Sequence, residues 1–109
     1  MSALDIDEER VGKAMRWLAE TDLTYAEAKA ALESCEILRK RVRARVFLTA
    51  EGTVADRQAR AECDHDAETA DAAYVEAIKH FEELRSRRQR AELLIDVWRS
   101  LEATRRKAA

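Results

Sequence analysis

The stretch from Asp66 to Arg106 limits what this chain can fold into more than any other. Ala67, Ala70, Tyr74, Ala77, Phe81, Leu84, Arg88, Ala91, Ile95 and Trp98 follow one another at alternating intervals of three and four, and only Arg88 among them is not apolar. That is a heptad seam, the signature of a helix lying along another helix. No Gly or Pro interrupts it. At ~1.5 Å per residue the stretch makes a helix of roughly 60 Å, too long to curl into a globule of this size.

A second seam precedes it: Tyr25, Ala28, Leu32, Cys35, Arg39, Val42, Val46 and Thr49, again with a single charged member, Arg39. Two matched seams joined by a short connection predict an antiparallel helical hairpin, all-α and coiled-coil-like. Setting Thr49 beside Ala70 pairs Val42 with Ala77, Arg39 with Phe81, Leu32 with Arg88 and Tyr25 with Ile95. A seam arginine has two readings. Its stem lies along the groove and its head reaches an acid at the rim, such as Glu36 or Glu76, or it fixes register or oligomer state at a cost in stability.

The remaining elements follow from local signals. Asp5 or Asp7 caps a short N-terminal helix ending near Glu20, with Ile6, Val11, Ala14, Met15 and Leu18 on one face. Thr21 to Thr24 reads as a link, and Thr24 with Glu27 as a capping box for a helix over Tyr25–Thr49. Gly52 is the natural left-handed stop after it. Thr53 and Asp56 form a variant capping box opening a short helix to Glu62, and Asp66 caps the long helix to Arg106. No internal repeat and no low-complexity linker is apparent, so the 109 residues read as a single helical domain.

Composition enters through what it leaves for a core. The chain has no Pro, two Gly, and two each of Phe, Tyr and Trp. The core is therefore narrow and Ala-lined, and one hairpin cannot bury both faces of its helices. Trp17, Ile37, Leu38, Phe47, Ile78 and Leu94 fall off the seams, as does Leu48. They are expected to be contacts of a homo-oligomer, a dimer or larger. Two cysteines make no disulfide framework and fit a reducing compartment. The acidic start without an apolar run argues against a signal peptide, and no apolar segment is long enough to span a membrane. The expected location is the cytoplasm, with no membrane partner.

Little here suggests site chemistry. Cys63 and His65 invite a metal reading, but zinc needs about four ligands at recognisable spacings, and His80 stands alone. A polar turn with a helix cap explains the same residues. No phosphate loop, nucleophile motif or catalytic set occurs. The chain reads as non-enzymatic, without cofactor.

The charge pattern says more than the net charge of −2. Arg39, Lys40, Arg41, Arg43 and Arg45 make one basic cluster, and Arg85, Arg87, Arg88 and Arg90 another. Such clusters can track a phosphate backbone, or they face acids of a neighbouring helix. Trp17 and Phe47 are either oligomer contacts or stacking platforms for bases.

Gly52-Thr53-Val54-Ala55-Asp56-Arg57, an Ala-rich turn, and a long helix ending Val97-Trp98-Arg99-Ser100-Leu101-Glu102-Ala103-Thr104-Arg105-Arg106 resemble short helical phage proteins of recombination or replication modules. The plan over Tyr25 to Arg106 is also similar to that of UvsY-type recombination mediators. The resemblance implies an oligomeric accessory that binds single-stranded DNA and works beside a recombinase. It carries over no individual DNA-binding residue. Two other readings stand beside it: a protein-binding adaptor or inhibitor, for example of a host defence complex, and a plain structural coiled coil.

Overall fold

Asp7 starts the first helix. Its carboxylate accepts from the Arg10 amide at 2.7 Å and its carbonyl from the Val11 amide at 3.0 Å. Glu8 and Glu9 then sit in the first turn, where the helix dipole favours acids. The computed structural model describes residues 5–108. Three helices account for nearly all of them: α1 over Glu8–Thr49, α2 over Val54–Cys63 and α3 over His65–Ala108. Among the described residues there is no strand.

The expected link at Thr21–Thr24 does not exist: α1 runs through it unbroken. The Thr21 hydroxyl turns back onto the carbonyls of Trp17, at 2.8 Å, and Leu18, at 3.4 Å. A threonine bonded in this way sits inside a helix instead of capping one. The separate N-terminal helix expected from the sequence is therefore the first part of α1.

The expected connection is present. Gly52 takes φ +108°, the left-handed region that glycine enters freely. The Thr53 hydroxyl accepts from the Asp56 amide, and the Asp56 carboxylate accepts from the Thr53 amide, each at 3.1 Å. That reciprocal pair holds the Asp56 carboxyl below the usual carboxylate range, chiefly through the Thr53 amide. The cap of α3 is Asp64, two residues earlier than the expected Asp66. Its carboxylate accepts from the amides of Asp66, at 2.9 Å, and Ala67, at 3.2 Å.

α1 and α3 both contribute to two compact units, Met1–Tyr25 with Glu83–Ala109, and Ala26–Glu82. In the second unit Arg43 meets Asp71 and Arg39 meets Tyr74, so α1 and α3 run antiparallel there. Both seams face inward: Ala28, Val42, Ala67, Ala70, Phe81, Leu84 and Ile95 are all buried. Ala67 is wholly covered, at 0% exposure, and clusters with Val42 and Ala70.

The register differs from the expected one by a whole heptad. Arg39 sits on Tyr74, not Phe81, and Arg88 sits on Tyr25, not Leu32. The slip keeps apolar seam against apolar seam. It also gives each arginine both a tyrosine ring and an aspartate.

Candidate interaction surfaces

The two seam arginines sit in the same arrangement, one in each unit. In the unit of Ala26–Glu82, α1 supplies Arg39. Its guanidinium lies 4.8 Å from the centre of the Tyr74 ring and its Nε donates to Asp71 at 3.0 Å. In the other unit the helices exchange roles. Arg88 of α3 lies 5.0 Å from the Tyr25 ring and donates to Asp22 at 2.6 Å. Each aspartate precedes its tyrosine by three residues, so both point from one helix face toward the same guanidinium. The set Asp71, Tyr74, Arg88 repeats the spacing of Asp22, Tyr25, Arg39. This three-residue repeat is too sparse to register as a sequence repeat, and the Asp-x-x-Tyr pair was its only visible signal.

Arg88 is the more deeply held of the two, with its side chain 13% exposed. It donates further to the Leu18 carbonyl at 2.9 Å and the Thr21 hydroxyl at 2.6 Å. Around Asp71 the partners multiply. Arg43 grips its carboxylate with both terminal nitrogens, one at 2.8 Å, while its Nε donates to Glu62 of α2 at 3.0 Å. Two guanidinium groups on one carboxylate, Arg43 first and Arg39 second, hold the Asp71 carboxyl down at about 2. The same bonds, that to Asp71 ahead of that to Glu62, push the Arg43 guanidinium further above its usual range.

The basic clusters are therefore largely spent inside the chain. Arg39 and Arg43 serve Asp71, Lys40 pairs with Glu36 one turn back, and Arg88 serves Asp22. Arg87 stacks on Trp17 at 5.0 Å, and Arg85 is also engaged. The acids that do this work are Asp22, Glu62 and Asp71, not the Glu76 considered from the sequence. Glu36 takes Lys40 in place of a seam arginine. Arg41, Arg45 and Arg90 have no ion pair or ring contact among the described residues.

The off-seam apolar residues divide in the same way. Phe47 is half-buried beneath Arg57, which lies 4.6 Å from its ring and caps its carbonyl at 3.0 Å. Trp17 is half-buried beneath Arg87. Ile78 and Leu94 are half-buried as well. Ile37 and Leu38 remain open, at 50% and 48% exposure, as does Leu48 at 72%.

Several hollows lie in the unit of Met1–Tyr25 with Glu83–Ala109, and two of them bear on binding. A small one, about 250 Å³, is lined by Trp17, Arg87 and Arg90. A larger groove of about 510 Å³ runs between α1 and α3, with Ile6 and Ala14 on one wall and Ala91, Leu94 and Val97 on the other. Arg10 and Arg90 stand at this groove, and Leu93 beside it is 61% exposed. The sequence places Ile6 and Ala14 on one helix face, Ala91 in the seam, Arg90 in a basic cluster and Leu94 off the seam, and gives no role to Arg10, Leu93 or Val97. The spacing Leu93, Val97, Leu101, on the face away from the seam, was the missed signal.

Among the described residues no cluster of three metal-ligating side chains occurs, and no helix is long and apolar enough to cross a membrane. Cys63 is exposed and Cys35 half-buried, both free thiols. Comparison with protein-family models, with curated proteins and with solved structures gives no match to this chain.

Proposed function

We propose that this chain is a non-enzymatic, homo-oligomeric helical adaptor that binds a protein partner in the groove between the start of α1 and the end of α3. One observation carries the reading. The groove is walled by Ile6, Ala14, Ala91, Leu94 and Val97, holds about 510 Å³, and is edged by Arg10 and Arg90. An apolar trough with a cation on each wall suits an amphipathic helix of a partner that carries acids beside its apolar face. Such a chain acts as an adaptor or as an inhibitor, for example of a host defence complex, according to what it occludes. Selection of binders from a random helical-peptide library tests this. The binders should carry acids beside an apolar face and should lose binding to the double variant Leu93→Glu, Val97→Glu. Equal binding to that variant refutes the reading.

A second reading, the single-strand DNA accessory of recombination or replication modules, rests on the other hollow. There an aromatic ring, Trp17, lies under Arg87 with Arg90 alongside. A ring that bases can stack on, beside cations that can meet phosphates, is the working pair of a single-strand binder. If Arg87 and Arg90 each meet one phosphate, replacing both by Ala flattens the slope of log affinity against log salt by about 1.4. Anisotropy of a labelled single strand measures this, and no binding by the parent chain at low salt ends the DNA reading.

A further inference from the structure

The outer face of α1 in the unit of Ala26–Glu82 carries a second row of residues, turned away from the seam. Ala26, Ala30, Glu33, Ile37, Arg41, Ala44 and Leu48 follow one another at intervals of three and four, and every one is exposed. The row reads the same from either end. Ile37 is its centre. Glu33 stands four residues before it and Arg41 four after, Ala30 seven before and Ala44 seven after, Ala26 eleven before and Leu48 eleven after. We infer that this face is a two-fold docking surface for a second copy of the chain, with the two α1 helices antiparallel and Ile37 on the axis. The surface gives a location to the homo-oligomer of the adaptor reading.

The charges are what commit the face to a second copy. Glu27, Glu33, Arg41 and Arg45 form no ion pair or ring contact with any described residue of their own chain. Antiparallel pairing about Ile37 brings Glu33 level with Arg41 of the second copy, and the symmetry makes that pair twice. Glu27 and Arg45 lie on the same flank of the row and fall nearly level, which adds two more. A two-fold interface must be self-complementary. A face whose acids precede its centre and whose bases follow it meets that condition only when the helices run antiparallel. In a parallel pair Glu33 would face Glu33 and Arg41 would face Arg41.

The apolar members fit the same arrangement. Ile37 meets its own copy at the axis. Ala30 and Ala44, paired across it, let the backbones approach, and Leu48 covers Ala26. Leu38, 48% exposed, borders the row.

The test is sedimentation mass of the full chain at micromolar concentration, with far-UV circular dichroism to confirm helicity. The parent chain should sediment at twice the chain mass. Ile37→Glu, at an exposed position, should weaken association about tenfold or more with helicity unchanged. Glu33→Arg and Arg41→Glu should each weaken it, while the double variant carrying both, or an equimolar mixture of the two single variants, should restore it. A parent mass of one chain overturns both this surface and the homo-oligomer. A dimer that Ile37→Glu leaves intact overturns this surface and spares the homo-oligomer. Singles that weaken and a double variant that fails to recover overturn the antiparallel register.

Discussion

Replacing Arg88 by Ala should be among the most damaging changes to a charged residue in this chain, and the reason lies in what surrounds its side chain. The guanidinium donates to the Leu18 carbonyl, the Thr21 hydroxyl and the Asp22 carboxylate, covers the Tyr25 ring, and leaves only 13% of the side chain exposed. Its stem occupies a seam position between Leu84, itself 8% exposed, and Ala91. The Asp22 bond adds little, because Asp22 is 69% exposed and stays hydrated without its partner. The hydroxyl and carbonyl bonds are part-buried and contribute about 1 kcal/mol together, since the Thr21 hydroxyl keeps its bond to the Trp17 carbonyl. The ring contact adds about 0.5–1 kcal/mol. Loss of the buried stem adds about 1 kcal/mol. The total is about 2–3 kcal/mol, or about 10–15 °C in melting temperature for a chain near this size. Asp22→Ala should cost less than about 1 kcal/mol. Thermal denaturation followed by circular dichroism measures both. If Arg88→Ala melts within a few degrees of the parent, or no lower than Asp22→Ala, the arginine is a passenger on the seam and not a fastener.

Other perturbations separate core from surface just as sharply. Phe81→Ala and Leu84→Ala, at 9% and 8% exposure, should each cost about 2–5 kcal/mol in chemical denaturation, because a thin core closes poorly around a cavity, while Glu83→Ala should be nearly silent. Gly52→Ala should cost about 1 kcal/mol or more, since φ +108° disfavours a side chain and the new Cβ would lie 2.9 Å from the Asp56 carboxylate oxygen. The Asp71 carboxyl, held at about 2 by Arg43 and Arg39, stabilises the fold above its ordinary value of about 3.9. That contribution is lost as pH falls from about 4 toward 2, so Asp71→Asn should be less stable than the parent at neutral pH and show a shallower acid transition over that window.

The sequence announced the helices better than it announced their ends. Both seams, the Gly52 stop and the Thr53–Asp56 box were legible, because each is a local pattern that one physical rule reads. The apparent break at Thr21–Thr24 rests on Thr24 and Glu27 alone, which match a capping box inside a continuous helix. A longer reading corrects it: Val11, Ala14, Leu18, Thr21, Tyr25 and Ala28 continue the three-four alternation straight through the supposed link. A true break resets the phase of a seam, and this one is never reset. Threonine serves equally as a cap and as a mid-helix residue bonded to the preceding turn, so the phase decides between them and the capping motif does not.

Register is the harder problem, and the reason is general to heptads. A seam that repeats every seven residues is nearly indifferent to a slip of seven, since apolar still meets apolar. Only members that break the pattern can choose among such registers, and here these are Arg39 and Arg88. Matching them to the seam by position alone set them against Phe81 and Leu32. Matching them by need would have asked where each cation finds both a ring and an acid on the opposite helix. The chain offers an aspartate three residues before a tyrosine twice, at Asp22 with Tyr25 and Asp71 with Tyr74, and each lies on a seam-bearing stretch. One slip satisfies both arginines together. The same reasoning explains why the basic clusters looked more available in sequence than they are in space. Arg39, Arg43 and Arg88 set the helix pairing, so the charges left for a partner are those facing away from it: Arg41 and Arg45 on the back of α1, and Arg90 beside the groove.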